Sequence, residues 1–356
     1  MNSHLRSPGS RLRWFGAAVL TVGALLAGCG TVTPRVGVDA GAQANEAKLQ
    51  QQLALRNMAQ QQFRLLTVGW GVLAGGASEC GEQVRPSLGF LALKSDQLPA
   101  NERAALSEAL GLDSQLRVMA VYKNSPALRA GLQVGDIVTD QSAAALTPPN
   151  ESRTDAARRL SGPVTFTVLR AGTPVTLTAT AQRICEYPLK VVNGSVVNAY
   201  ADGKSIFVTQ GMMRFAADDR ELALVVAHEL GHNTMGHITK KTLNSALGTV
   251  VDVVAAAYGV NTGGLFGGIG AGAYSQDFES EADYVGLYYL AAAGYDTRGA
   301  ADFWRRMAME NPASIKGSHS ASHPATSERF LALEKVSTEI QGKQASGLAL
   351  APNRIK

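Results

Sequence analysis

The chain has 356 residues, 46% of them hydrophobic and 17% charged, with a formal charge of +4. That balance is globular rather than disordered, and the length accommodates two ordinary domains. Arg6, Arg11 and Arg13 fall in a segment expected to be removed, leaving 4 − 3 = +1; with no basic tract or interleaved aromatics, no nucleic-acid partner is expected.

Residues 1–28 read as a signal peptide. The three arginines precede an apolar run from Trp14 to Ala27, too short for a comfortable membrane span. Leu26-Ala27-Gly28-Cys29 resembles the lipobox of bacterial lipoproteins, which implies cleavage before Cys29 and lipidation of its thiol. Gly30 at the next position resembles the outer-membrane sorting pattern, so the expected location is the periplasmic face of that membrane. Cys80 and Cys185 then remain, and two thiols in an exported chain predict one disulfide.

Residues 29–79 read as a short tether and a helix, with Leu49, Leu53, Met58, Phe63 and Leu66 recurring from Asn45 to Leu73. Residues 80–186 change texture. β-like runs occur at Leu88–Leu93, Leu116–Tyr122, Val164–Leu169 and Pro174–Thr180, with helical patterns at Asn101–Leu110 and Arg153–Leu160. Asn124–Val138 resembles the central signature of PDZ domains, and Ser87-Leu88-Gly89-Phe90 resembles their carboxylate-binding loop. The resemblance implies a PDZ-like β-rich module in which Leu88, Gly89 and Phe90 take a peptide C-terminus. The Pro-containing loop Ala143–Glu151 departs from that pattern.

Residues 187–340 carry the chemistry. Val191–Tyr200 and Ser205–Thr209 read as a strand pair around Asp202-Gly203. Asp218, with Glu221 three residues on, reads as the start of a helix running to Lys241. Inside it stands His228-Glu229-Leu230-Gly231-His232. Residues four apart share a helix face, so both imidazoles can reach one metal ion and Glu229 a water beside it. Five of the six histidines lie beyond residue 227, which concentrates metal-binding chemistry in one part of the chain. Downstream, Glu279 and Asp283 are again four apart, which makes Glu279 the expected third ligand and Asp283 the group orienting an imidazole. Glu281, two residues off, points elsewhere. His237 reads as a packing histidine or one that orients a ligand, and His319 has no assigned role. Leu243–Tyr274, apolar and glycine-rich, reads as a helix followed by a flap near the site. Residues 341–356 read as a flexible tail.

These motifs, with Asn198-Ala199, Gly211-Met212, Ser322-His323-Pro324 and Arg329, resemble the Ste- and HtpX-type zinc peptidases. The resemblance spans roughly residues 187–335. It implies an α+β chain in which the PDZ-like module precedes a mainly helical gluzincin-like domain with one zinc ion held by His228, His232 and Glu279. Glu229 is then the general base. His323 is either a donor to the oxyanion or an occupant of the open zinc position. The implied function is endopeptidase action on unfolded or misassembled envelope proteins, in a chain that is a possible homo-oligomer; the alternative is a chaperone-like client binder with little proteolysis.

Overall fold

The computed structural model of the protein describes residues 36–139, 146, 153–240, 276–310, 323 and 325–353. The signal segment with Cys29, most of the Ala143–Glu151 loop, the Leu243–Tyr274 stretch and His319 lie outside the described residues. The chain divides into two compact units, one ending at Gln50 and one from Gln51 to Lys356. In the first, Asp39 caps helix α1 (Ala40–Gly75) by accepting from Ala42 N at 3.0 Å. Its described residues through Gln50 are all exposed.

Within the second unit α1 becomes part of the core. Leu65, Val68 and Val72, spaced by three and four, are buried along one face. Two polar residues beside that face also bind. Gln62 donates to Leu189 O and accepts from Val191 N, both at 2.9 Å. Arg64 donates to Met213 O and Ala216 O and pairs with Asp219 at 3.0 Å.

Next come β1 (Val84–Ser87), β2 (Phe90–Leu93), α2 (Arg103–Leu110), β3 (Leu116–Val121), α3 (Pro126–Arg129), β4 (Ile137–Val138), α4 (Arg153–Arg159), β5 (Pro163–Arg170), β6 (Thr173–Thr180) and β7 (Gln182–Cys185). Strands β2-β3-β4-β5-β6 form an antiparallel five-stranded sheet in that order. Its core is separate from that of the helical region and centres on Val118, Phe166, Val168 and Leu177. Strand β3 alternates buried and half-buried residues, as a sheet covered on one face requires. The expected run Leu88–Leu93 is interrupted. Gly89 takes a φ of +78°, and the turn sends β1 to pair with β7 while β2 joins the larger sheet. Cys80 and Cys185 are bonded as a disulfide across a separation of 105 residues, beside the β1–β7 ribbon. Closing a loop of that size stabilises by about 4–5 kcal/mol if loop entropy in the unfolded chain dominates.

The remaining region is mainly helical. Strands β8 (Leu189–Val192), β9 (Ala199–Ala201) and β10 (Ile206–Thr209) precede α5 (Gln210–Phe215), α6 (Asp219–Thr234), α7 (Gln276–Ala292), α8 (Ala300–Glu310) and α9 (Ser327–Ala345). The expected strand Val191–Tyr200 is two strands. β8 runs parallel to β10 on one side and β9 antiparallel on the other, so Asn193–Asn198 must turn the chain between them. The hairpin at Asp202-Gly203 is present, with Asp202 Oδ1 accepting from Lys204 N and Ser205 N. Helix α9 corrects the expected tail at 341–356: it continues to Ala345 and the chain then folds back. Lys343 Nζ donates to Ala351 O at 2.7 Å, and Asn353 Nδ2 to Glu339 at 2.8 Å. Gln341, Lys343 and Gln344 there are good helix formers. No helix among the described residues is long and apolar enough to cross a membrane.

Candidate metal centre

Asp218 starts α6 by accepting from Glu221 N at 2.8 Å, and Glu221 accepts in return from Ala217 N at 2.8 Å. Arg306 of α8 clamps Glu221 with two bonds of 2.8 and 3.0 Å. The helix is buried at every position from Glu221 to Asn233. It runs beside α7 at backbone distance. A Cβ at Gly231 would stand 2.8 Å from Ala282 O, and one at Gly286 3.0 Å from Ala227 O. The two glycines therefore allow the approach that brings the motif of one helix against the carboxylates of the other.

His228 and His232, one turn apart on α6, bring their Nε2 atoms to 3.1 Å. From α7, Glu279 Oε1 lies 3.2 Å from His232 Nε2, and Oε2 lies 3.4 Å from His228 Nε2. His323, in the segment ahead of α9, brings Nδ1 to 3.3 Å from His228 Nε2 and 3.0 Å from both Glu279 oxygens. All four side chains are buried, and one ligand atom from each lies within 4.8 Å of the other three. A tetrahedral ion with bonds of roughly 2.0–2.1 Å spaces its ligand atoms by about 3.3–3.4 Å. The four side chains fit such an ion in number, chemistry and spacing.

Glu229 completes the motif. Its carboxylate is buried, Oε1 lies 3.5 Å from His323 Nε2, and Oε2 has no hydrogen-bond partner among the described residues. Such a buried, unpartnered oxygen is costly unless a ligand or water engages it. Burial is also the main cause that pushes the Glu229 carboxyl up from its ordinary value, against the pull of His323 and His228.

Asp283 Oδ1 lies 2.9 Å from His228 Nδ1. Arg329, from the first turn of α9, donates Nε to Asp283 Oδ2 at 2.6 Å and Nη2 to Oδ1 at 3.0 Å, and its Nη1 stands 3.0 Å from Glu279. Trp304 of α8 packs on the His228 ring at 4.9 Å and under the Arg329 guanidinium at 4.9 Å. Burial alone would raise both acids. The fields of His323 and Arg329, with hydrogen bonds from His228 and His232, instead hold Glu279 well below the carboxylate range. Arg329 and His228 do the same for Asp283. The buried carboxylates Glu229, Glu279 and Asp283 thus share one buried arginine, Arg329, beside the imidazoles.

The structure thus brings His228, Glu229, His232, Glu279, Asp283 and His323 together. Two further side chains stand behind this cluster. Helix α6 ends at Thr234 rather than running to Lys241, because Gly236 adopts a φ of +66°. That turn places His237 Nδ1 3.0 Å from His232 Nδ1. Glu281, expected to point elsewhere, bonds His237 Nε2 at 2.8 Å.

Leu88, Gly89 and Phe90 belong to the other sheet region and are not part of this cluster. Gly89 N donates to Ser87 Oγ at 3.1 Å, and Trp70 Nε1 of α1 donates to the same oxygen at 3.1 Å. Leu88 O accepts from Ala127 N and Gly89 O from Tyr122 N. A Cβ at Gly89 would stand 2.3 Å from Ser125 Cβ and 2.9 Å from the Trp70 ring. Gly89→Ala is therefore expected to lower stability by about 2–4 kcal/mol, from left-handed strain plus overpacking. Thermal denaturation is the check; an unchanged midpoint would show that this packing does not hold in solution.

Buried imidazoles around a carboxylate, on a His-Glu-x-x-His helix, define the metalloprotease class. Residues 175–337 match Peptidase family M48. The chain is 34% identical over 150 residues to metalloprotease LoiP of Escherichia coli, covering 39% of this chain and 58% of that one. It is 28% identical over 171 residues to mitochondrial metalloendopeptidase OMA1 of Schizosaccharomyces pombe, covering 45% and 49%. With the β-barrel assembly-enhancing protease of Yersinia pestis it shares 27% over 136 residues, covering 34% and 28%. The chain spans about half the length, or less, of the first relatives it matches. Among solved structures, the HtrA-type protease AlgW with decapeptide aligns at 29% identity over 30% of each chain, with a TM-score of 0.19, too low to carry an argument.

Proposed function

We propose that the protein is a zinc endopeptidase, held by lipid on Cys29 at the periplasmic face of a bacterial outer membrane, that cleaves misfolded or misassembled envelope proteins. The observation that carries the catalytic part is the set of four buried ligand atoms beside the unpartnered Glu229 oxygen. The family match and the protease relatives support it. The lipobox-like Leu26–Cys29 supports the anchor. A relative named for β-barrel assembly supports outer-membrane proteins as the client class. The five-stranded sheet with Leu88-Gly89-Phe90 at its entry supports a PDZ-like module. Capture of a peptide C-terminus by that loop would require Ser87 Oγ to release Gly89 N.

In this reading His228, His232 and Glu279 hold the ion. When bound, zinc supplies a Lewis acid that polarises the scissile carbonyl and acidifies water. Glu229 takes the proton of the attacking water and returns it to the leaving amine. Its burial raises its proton affinity. Asp283 fixes the proton of His228 on Nδ1, leaving Nε2 free for the ion. The closeness of His323 Nδ1 to His228 Nε2 and Glu279, at 3.3 and 3.0 Å, supports the second of its two expected roles, occupancy of the open zinc position. Its Nε2 also lies 3.3 Å from Ala199 O on β9. In that role His323 would have to withdraw for substrate to enter, and the enzyme would be latent while it stayed.

The test is metal removal. Purified protein should hold about one zinc per chain. A strong chelator should abolish hydrolysis of an unfolded protein such as casein, and stoichiometric zinc should restore it. Hydrolysis that persists in demonstrably zinc-free protein would overturn the reading.

A further inference from the structure

The two histidines of the motif are held from behind in different ways. His228 is backed by Asp283, which Arg329 clamps, and both are buried. His232 is backed by His237 at 3.0 Å, and His237 by Glu281 at 2.8 Å. His237 is fully buried, whereas the Glu281 side chain is 43% exposed. The His237 ring stacks on Phe278 at 4.4 Å with an interplanar angle of 11°. Lys240 Nζ stands 3.8 Å from Glu281 and over the Phe278 ring.

We propose that His237 and Glu281 form a hydrogen-bond relay that sets the tautomer and ring plane of His232, and that this relay makes them positioning residues for the metal centre. The inference rests on the metal reading above. The proton assignment follows from the chemistry of the atoms. His232 Nε2 faces the cluster, 3.1 Å from His228 Nε2 and 3.2 Å from Glu279. To offer a lone pair there as a neutral imidazole, it must carry its proton on Nδ1. That N–H donates to His237 Nδ1, which must therefore be the unprotonated nitrogen. His237 then carries its proton on Nε2 and donates it to Glu281. A carboxylate can only accept, so Glu281 determines the direction of the whole chain. Without it, His237 is free to protonate Nδ1, and two N–H groups would face each other across 3.0 Å. Phe278 and the left-handed turn at Gly236 hold the ring where this bond forms.

The two backings also differ in stiffness. Asp283 is shielded from water and doubly bonded, while Glu281 meets solvent and competes with it. Loss of His237 as acceptor should therefore cost more than loss of Glu281.

The experiment uses the full chain and measures zinc affinity by competition with a chromophoric chelator, together with the visible absorption of the cobalt-substituted protein. His237→Phe keeps an aromatic ring on Phe278 but removes the acceptor. His237→Asn loses the ring but places a carbonyl oxygen near the position of Nδ1. A relay predicts that Phe weakens zinc binding about 10–100-fold and alters the cobalt spectrum, while Asn stays within about fivefold of the parent. A packing role predicts the reverse order. Glu281→Ala should weaken binding a few-fold in the parent and have no further effect in the His237→Phe background. Parent-like affinity in His237→Phe, or an undiminished Glu281→Ala effect in that background, overturns the relay while leaving the metal site standing. A parent chain that binds no zinc overturns the metal reading, and the relay with it.

Discussion

Replacing Glu229 with Gln should leave the zinc content and the thermal midpoint near those of the parent and reduce hydrolysis of an unfolded protein by 10²-fold or more, with about 10²–10⁴-fold the usual worth of a general base. Gln is close in volume and stays neutral, so the buried site keeps its packing. It also removes a buried carboxylate whose Oε2 has no partner among the described residues, which offsets any lost contact with His323. The loss should appear in kcat, because the proton transfer occurs in the transition state. Titrating zinc into the variant separates a missing base from a missing metal. A zinc-loaded variant with parental kcat would remove Glu229 from its role. It would also favour the client-binding alternative if hydrolysis were weak in both proteins.

Replacing Glu279 with Ala should have the largest effect on metal content. The carboxylate contacts His228, His232, His323 and Arg329 at once, at 3.0–3.4 Å. Its loss removes one expected ligand and one buried partner of Arg329. Zinc affinity should fall by 10³-fold or more, beyond the roughly 10–100-fold typical of a residue that only supports a ligand. Glu281→Ala should lower it only a few-fold. Metal analysis of the two proteins purified side by side decides the register, and equal losses would contradict it. The sign of the acid response follows from the same network. Glu279 and Asp283 both have carboxyls held below their ordinary values. Their stabilisation is complete above the unfolded range of about pH 4 and is lost as pH falls through the depressed values.

The centre was legible where helix geometry alone decides. A spacing of four sets His228 over His232 and Glu279 under Asp283 on any regular helix. Which faces meet is a tertiary matter, yet two motifs with matching chemistry leave few alternatives. The place of Glu281 behind His237 was not legible, for a related reason. On an unbroken helix a residue five positions on is rotated by about 140° from His232. The turn at Gly236 folds His237 back, where it bonds Glu281. Strand boundaries failed where pairing overrides pattern: apolar Val191–Tyr200 splits because β8 and β9 must flank β10 from opposite sides. The Ser87–Phe90 link was recognisable as a turn. That Trp70, far up the preceding helix, seals it is a contact no local pattern encodes.

Gln62 lies in a glutamine-rich stretch that reads as mere solvation. Strand β8 is the outer strand of its sheet, hydrogen-bonded to β10 on one side. The Gln62 amide engages Leu189 O and Val191 N, working as a single borrowed peptide unit. A strand with open backbone groups invites pairing with another chain, and proteins cover such edges in several ways. Here the cover is a side chain of helix α1. Shortening that helix past Gln62 would therefore uncap the outer strand of the β8-β10-β9 sheet and favour self-association.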